Sequence, residues 1–273
     1  MRNLLRTIFQ SARNLQRKSG DSLISHRVVR DRLIEAILPA LRNSGFDRVE
    51  NGKIWRQHDA WVDVVQIVFV RASYGKAWST TRQSPSLAIG RYLKFAPPNI
   101  GINVSTSNDK SLWPNETQCH IRKIIYASQD TNVEADNIPA NVWYVGSEGE
   151  HLEYCLADAR RAVDVQIVPW FDWLINLETI LHLILKHGAD VEGKGKDILQ
   201  RGTWGFEGSF GDQVLVGLLA CKLEKWALCT DCFAPVLERR GVLARNGRVY
   251  PLPAEALELI ESAYKVASTK YEH

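Results

Sequence analysis

The sequence lacks any apolar run long enough to cross a membrane, and it is poor in methionine and cysteine. Even the stretch WVDVVQIVFV at residues 61–70 falls well short of the ~18 residues of a spanning helix. One Met and five Cys in 273 residues exclude a disulfide scaffold. An odd number of cysteines without a secretory signal favours reduced thiols, so we expect a cytoplasmic protein with no integral membrane association.

Complete catalytic motifs are also missing. The sequence contains no G-x-S-x-G, no H-E-x-x-H and no dinucleotide-binding fingerprint. Residues 188–195 approach a phosphate-binding loop, but Gly195 replaces the required Ser or Thr. Cys229 and Cys232 form a single C-x-x-C pair, which is too few ligands for structural zinc. We therefore expect no catalytic residues, no metal ligands and no cofactor, while a hydrolase or nuclease with an unrecognised site stays open.

Acidic side chains are absent from a long part of the first half. Residues 1–108 hold 17 basic and 7 acidic side chains, residues 109–192 hold 6 and 14, and there is no carboxylate between Asp63 and Asp109. Basic and aromatic side chains interleave in this acid-free segment, and the binding candidates within it are Arg71, Lys76, Trp78, Arg82 and Arg91. Such a mixture suits phosphate contacts and base stacking. The alternative is that the basic and acidic segments pack together and neutralise each other.

Hydrophobic periodicity predicts a helix, then strands, then more helices. An apolar stripe with a spacing of four predicts a helix over residues 26–42, which Gly45 would end as a left-handed cap. Strands are predicted at residues 53–56, 61–70, 86–95 and 119–126, and helices at residues 150–165, 175–187, 212–228, 230–239 and after Pro253. We therefore predict an α+β fold, in which an antiparallel sheet of about four to five strands is flanked by helices and followed by a helical C-terminal segment.

The same pattern predicts three parts of the chain. Residues 1–22 are a basic N-terminal segment, residues 23–190 an α+β domain, and residues 191–273 a helical C-terminal extension or small subdomain. The boundary at 190 falls in a stretch with seven glycines among residues 188–211, which is typical of a long loop or a domain seam.

Two further positions stand out within the predicted strands. His120 and Arg122 lie two residues apart and so share one face of a strand, where an exposed pair could recognise a carboxylate or a phosphate. The alternative is that they are ordinary surface residues of a half-solvated sheet. Arg91 shares an apolar stripe, so it either extends to water at an edge or meets a buried acid.

Several short motifs occur in the order seen in a bacterial family known as domain of unknown function 4304. These are Ser44-Gly45-Phe46 after a helix, Trp55-Arg56, the apolar strand Val64–Val70, Cys119-His120-Ile121-Arg122, and Pro169-Trp170-Phe171 before the Leu-rich stretch Leu177–Leu185. The chain resembles this family over about residues 27–190. The resemblance implies no established activity or site, although some small bacterial domains of this kind accompany toxin–immunity loci.

Charge segregation and the lack of a catalytic constellation lead to one leading hypothesis. We expect a non-catalytic protein-binding module of immunity or regulatory type, which holds a protein partner such as a toxin or a regulator by charge complementarity. The alternative is a nucleic-acid-binding protein that uses the acid-free basic and aromatic segment 64–108. The sequence leaves the oligomeric state open.

Overall fold

The computed structural model describes nine stretches of the chain: residues 23–71, 80–96, 113–128, 138–187, 200–201, 210–239, 241–245, 248–252 and 254–271. The helices are α1 (His26–Asn43), α2 (Leu152–Ala162), α3 (Val168–Trp173), α4 (Leu177–His187), α5 (Phe210–Lys222), α6 (Trp226–Glu238) and α7 (Ala254–Tyr271). The strands are β1 (Arg48–Glu50), β2 (Lys53–Gln57), β3 (Trp61–Phe69), β4 (Pro85–Leu93), β5 (Ile121–Ile124), β6 (Gln200–Arg201), β7 (Val242–Arg245) and β8 (Arg248–Pro251). The fold is α+β, as predicted.

One antiparallel sheet holds β1 to β6 in chain order, and β7 and β8 form a separate hairpin. Hydrogen bonds from Val70 N–H to the Ser84 carbonyl and from Lys94 N–H to the Ala60 carbonyl flank the β3–β4 pair. Both bonds fit the same antiparallel register, and this register places Asp63 opposite Arg91. The prediction of four to five strands is confirmed by β1 to β5. The two-residue strand β6 and the β7–β8 hairpin are additional.

Helix α1 follows its predicted stripe. Val29, Leu33, Ile37 and Leu41 are all 0% exposed. Gly45 has φ +86°, and hydrogen bonds from Gly45 N–H to the Arg42 carbonyl and from Phe46 N–H to the Leu41 carbonyl close the helix. This is the left-handed cap that glycine adopts without steric cost.

The chain divides into two compact units. The first unit comprises Met1–Ala40, Ile67–Leu87 and Tyr126–Val163. The second comprises Leu41–Gln66, Ala88–Ile125 and Asp164–His273. The predicted division at residues 22 and 190 stays a prediction, because residues 1–22 and the boundary at 190 lie outside the described residues.

In the first unit, a buried carboxylate fixes the core tryptophan. Asp158 Oδ2 accepts hydrogen bonds from Trp143 Nε1 at 2.7 Å and from Ser128 N–H at 2.8 Å. The backbone N–H of Trp143 in turn donates to the Pro85 carbonyl at 2.9 Å. In the second unit, the side chains of Trp55, Val62, Val64, Tyr92 and Cys119 form a buried cluster.

The helical C-terminal segment is confirmed, although its internal boundaries differ from the predicted ones. Helix α5 ends at Lys222, and α6 begins at Trp226, four residues before the predicted start at Thr230. The Thr230 hydroxyl donates to the Trp226 carbonyl inside α6. Across the described residues, no single helix has both the length and the apolar character needed to span a bilayer.

Candidate functional site

The structure does not bring the predicted binding residues together on one surface. Arg71 and Arg82 are exposed, and Lys76 and Trp78 lie outside the described residues. Arg91 is 1% exposed, so it is buried with the apolar residues of its stripe. Of the two interpretations of Arg91, the one in which it meets a buried acid is confirmed.

The expectation of an exposed His–Arg pair is wrong for His120. This side chain is 1% exposed, and its Nδ1 accepts a hydrogen bond from Leu93 N–H at 2.9 Å. His120 precedes β5, so strand alternation does not control its direction. Arg122 is half-buried and pairs with the buried carboxylate of Glu116. Both side chains therefore hold the local structure together.

Asp63 lies at the centre of a buried charged cluster. Its Oδ1 accepts a hydrogen bond from Arg91 Nε at 2.6 Å, and its Oδ2 accepts one from Arg91 Nη2 at 3.0 Å, so the pair is bidentate. Oδ2 also accepts from Arg56 Nη2 at 2.8 Å and Nε at 3.1 Å. His58 Nε2 lies 3.3 Å from the same oxygen, without the alignment of a hydrogen bond. Asp63 is 0% exposed, so the Asp63–Arg91 pair is withdrawn from water.

The two guanidinium groups of the cluster also bind backbone carbonyls. Arg91 Nη1 donates to the Leu174 carbonyl, and Arg91 Nη2 lies 3.5 Å from the Phe171 carbonyl. These carbonyls belong to the C-terminal end of α3, where a helix leaves carbonyls without helical partners. Arg56 Nη1 donates to the Ser44 carbonyl at 2.7 Å, in the turn after α1. The cluster thus fixes the end of α3 to strands β2, β3 and β4.

Opposing effects act on the ionisation of Asp63. Burial raises the pKa of a carboxyl group, but the contact with His58 and the positive charges of Arg91 and Arg56 outweigh burial here. The pKa of Asp63 therefore lies below its ordinary value of 3.8. The carboxylate is ionised in the folded protein at neutral pH, as its two arginine partners require.

This pKa shift predicts a loss of stability in acid. A carboxyl group whose pKa is lower in the folded than in the unfolded chain stabilises the fold above the unfolded pKa of about 3.9. That contribution disappears as the pH falls through the folded pKa of Asp63. Urea unfolding at pH 7, 5, 4 and 3 should show the free energy of unfolding falling most steeply below about pH 4. An Asp63→Asn variant with an unchanged slope in this range would contradict the assignment.

The buried cysteines offer no reactive thiolate. Burial raises the pKa of Cys119 well above its ordinary range and that of Cys155 to about 12. Burial raises the pKa of Cys229 to about 12, helped by the neighbouring Cys221, and that of Cys232 to about 11. These thiols are neutral at pH 7 and behave as small apolar side chains. Within the described stretches, no group of three or more His, Cys, Asp or Glu side chains is arranged to hold a metal ion.

Comparisons with known proteins were negative. The chain matches no protein-family model, no curated protein and no solved structure. The resemblance to domain family 4304 therefore stays a prediction based on short motifs.

An exposed apolar surface lies where α3 ends. Trp173 and Ile175 are 41% and 67% exposed, and Asp172 is exposed beside them. We call these three residues the Trp173 surface. The chain bends between Trp173, where α3 ends, and Leu177, where α4 begins, so Trp173 and Ile175 lie at a corner. Sequence periodicity predicts Ile175 as part of a central helix, but α4 begins only at Leu177.

The Trp173 surface and the Asp63 cluster are connected through the backbone. Arg91 binds the carbonyls of Phe171 and Leu174, which flank Trp173 and Asp172 in sequence. Side chains at such a corner are held in place only if its backbone is held in place. The buried ion pair therefore positions the exposed residues. The sequence signals for this connection are Asp63 within an apolar strand and Arg91 within an apolar stripe.

Proposed function

We propose that this chain is a non-catalytic protein-binding module and that the Trp173 surface is its contact site. The observation that carries the proposal is an exposed tryptophan and isoleucine at a corner whose backbone is fixed by a buried arginine. Tryptophan is among the residues that contribute most to binding energy at protein interfaces. Contiguous exposed apolar side chains bordered by polar ones are typical of interaction sites.

Charge indicates the kind of partner. From Ala162 to Leu185 the chain has three carboxylates, Asp164, Asp172 and Glu178, and no Lys or Arg. Glu178 pairs with Lys225 at 3.2 Å, whereas Asp172 is exposed next to Trp173. A complementary partner would offer an apolar socket bordered by Lys or Arg side chains. This proposal uses the acidic middle of the chain rather than its basic first third.

The nucleic-acid alternative has less support. Arg91 is unavailable to phosphate because it is buried against Asp63. Arg71 and Arg82 are exposed, but His120 and Arg122, which could have extended a phosphate-binding surface, are engaged with Leu93 and Glu116. We therefore retain nucleic-acid binding as an outcome to be tested.

Compartment and biological setting follow as proposals. All five cysteines are free thiols, which suits the reducing cytoplasm of a bacterium. A non-catalytic chain whose apolar anchor is presented on an acidic corner suits an immunity or regulatory role, in which a toxin or a regulator is held. Kinship with domain family 4304 would agree with that role.

The experiment is affinity capture with the full tagged chain, with and without nuclease. A Trp173→Ala, Ile175→Ala variant should lose a stoichiometric protein partner that the wild-type chain captures. With the purified partner, we expect the double substitution to raise the dissociation constant at least about tenfold. Adding Asp172→Lys to this variant should weaken binding further, because the new lysine would repel the basic side chains of the partner.

The matched control is Val28→Ala, which removes a side chain that is 47% exposed on α1. This control should bind like the wild-type chain. Equal binding by the Trp173 variant, capture of no stoichiometric protein, or capture that disappears with nuclease would each overturn the proposal.

A further inference from the structure

Helix α7 has a second face that the core does not use. Its buried face holds Ala256, Ile260 and Ala267, which are 2%, 0% and 0% exposed, and α7 packs against α5 and α6. A separate line of exposed side chains runs along the helix with spacings of three and four residues. Its members are Glu255, Leu259, Ser262, Val266 and Lys270. Residues at these spacings share one helical face.

Two members of this line are apolar and exposed. Leu259 is 38% exposed and Val266 is 47% exposed. Ser262 and Ala263 lie between them, and their short side chains permit the close approach of another helix. We call Glu255, Leu259, Ser262, Val266 and Lys270 the α7 stripe.

Charge is distributed unevenly along α7. The carboxylates Glu255, Glu258 and Glu261 lie in its first half, whereas Lys265 and Lys270 lie in its second half. An antiparallel partner helix with the same sequence would therefore bring acidic side chains opposite basic ones. A parallel copy would bring like charges together.

Four of the five positions in the stripe are symmetric about a point between Ser262 and Ala263. A two-fold axis at that point brings Leu259 of one copy against Val266 of the other. The same axis brings Glu255 against Lys270. Each contact then occurs twice, as a two-fold interface requires.

We propose that the α7 stripe binds the α7 stripe of a second copy of this chain, antiparallel, to form a homodimer. Two helices that cross bury less than about 1,200 Å², which is the lower limit for a stable interface. The association is therefore weak. We expect a dissociation constant on the order of 10 µM or weaker. The dimer face is distinct from the Trp173 surface, so loss of dimerisation leaves the proposed partner binding intact.

Sedimentation velocity over about 1–300 µM tests self-association of the full chain. The wild-type chain should shift from monomer to dimer with rising concentration, and Val266→Lys should stay monomeric. Val28→Ala, a change at an exposed valine outside α7, should dimerise like the wild-type chain. A wild-type chain that is monomeric throughout, or a Val266→Lys variant that dimerises unchanged, would overturn the proposal.

Charge reversal tests the antiparallel register. Glu255→Lys alone and Lys270→Glu alone each place two like-charged pairs in the homodimer, so we expect dimerisation about tenfold weaker for each. An equimolar mixture of the two variants restores both opposite-charge pairs in a heterodimer. Dimerisation restored in the mixture supports the register, and it also shows that both variants are folded. A mixture that dimerises as weakly as each variant alone would overturn the antiparallel register.

Discussion

Replacing Asp63 by Asn should lower the free energy of unfolding by about 3–5 kcal/mol, the cost of leaving one partner of a buried ion pair without the other. The change preserves the size of the side chain but removes its charge. Arg91 is 1% exposed and would keep a positive charge with no buried carboxylate to balance it. Urea denaturation at pH 7, followed by circular dichroism, measures the loss.

Two comparisons separate the charge effect from other causes. Asp31→Asn removes a carboxylate that pairs with Arg27 and Arg30 at the surface, where its side chain is 48% exposed. That control should cost less than about 1 kcal/mol. Replacing the pair together, as Asp63→Leu with Arg91→Met, should recover part of the stability because the fully buried charge of Arg91 is removed with its partner, while the half-buried Arg56 keeps its bond to the Ser44 carbonyl. A cost below about 1 kcal/mol for Asp63→Asn would contradict the structural role of the pair.

Periodicity predicts most of the elements because their apolar stripes and runs are the parts that become buried. In α1, the four stripe residues are all fully buried, and the observed helix exceeds the predicted range by one residue. Strands β3 and β4 also agree to within two residues with the apolar runs that predict them. Helix α1 buries one face, whereas β3 and β4 are buried on both faces, and each pattern can be seen directly in the sequence.

Periodicity fails where tertiary contacts decide the position of a side chain. His120 lies one residue before β5, and a hydrogen bond from the Leu93 backbone holds it inside the fold. Ile175 belongs by composition to an apolar helix, but the turn after α3 leaves it 67% exposed. Neither outcome has a local sequence signal, since each depends on residues far away along the chain.

The buried ion pair can be predicted from the sequence only in part. An arginine in an apolar stripe predicts either an edge position or a buried acid, and Asp63 is one of the two polar interruptions of β3. The strand register decides between the edge position and the buried acid, because it places Asp63 opposite Arg91. Register is fixed by the pairing of whole strands, so a single-residue pattern cannot supply it.

Charge segregation along the chain is only partly neutralised in the folded units. Arg32 from the basic segment pairs with Glu153 from the acidic segment at 2.8 Å, although both side chains are largely exposed. Arg71, Arg82 and Asp172 remain exposed. Surface pairs of this kind contribute little to stability.

Gly217→Ala should destabilise the protein by about 1–3 kcal/mol, although the same change in most helices would stabilise it. Gly217 lies within α5, and an added Cβ would stand 2.4 Å from Cε1 and 2.8 Å from Cδ1 of Phe233 on α6. Phe233 is 0% exposed, so its ring does not border solvent into which it could withdraw. The two helices would have to separate or the ring would have to leave its preferred rotamer.

A second substitution distinguishes this clash from a general loss of helix packing. Phe233→Leu alone should cost about 1–2 kcal/mol because it removes part of a buried ring. Combined with Gly217→Ala, it should cost less than the sum of the two single changes, since the smaller side chain leaves room for the new methyl group. Strictly additive costs in urea denaturation, or a Gly217→Ala variant more stable than the wild-type chain, would show that α5 and α6 do not approach closely at this glycine.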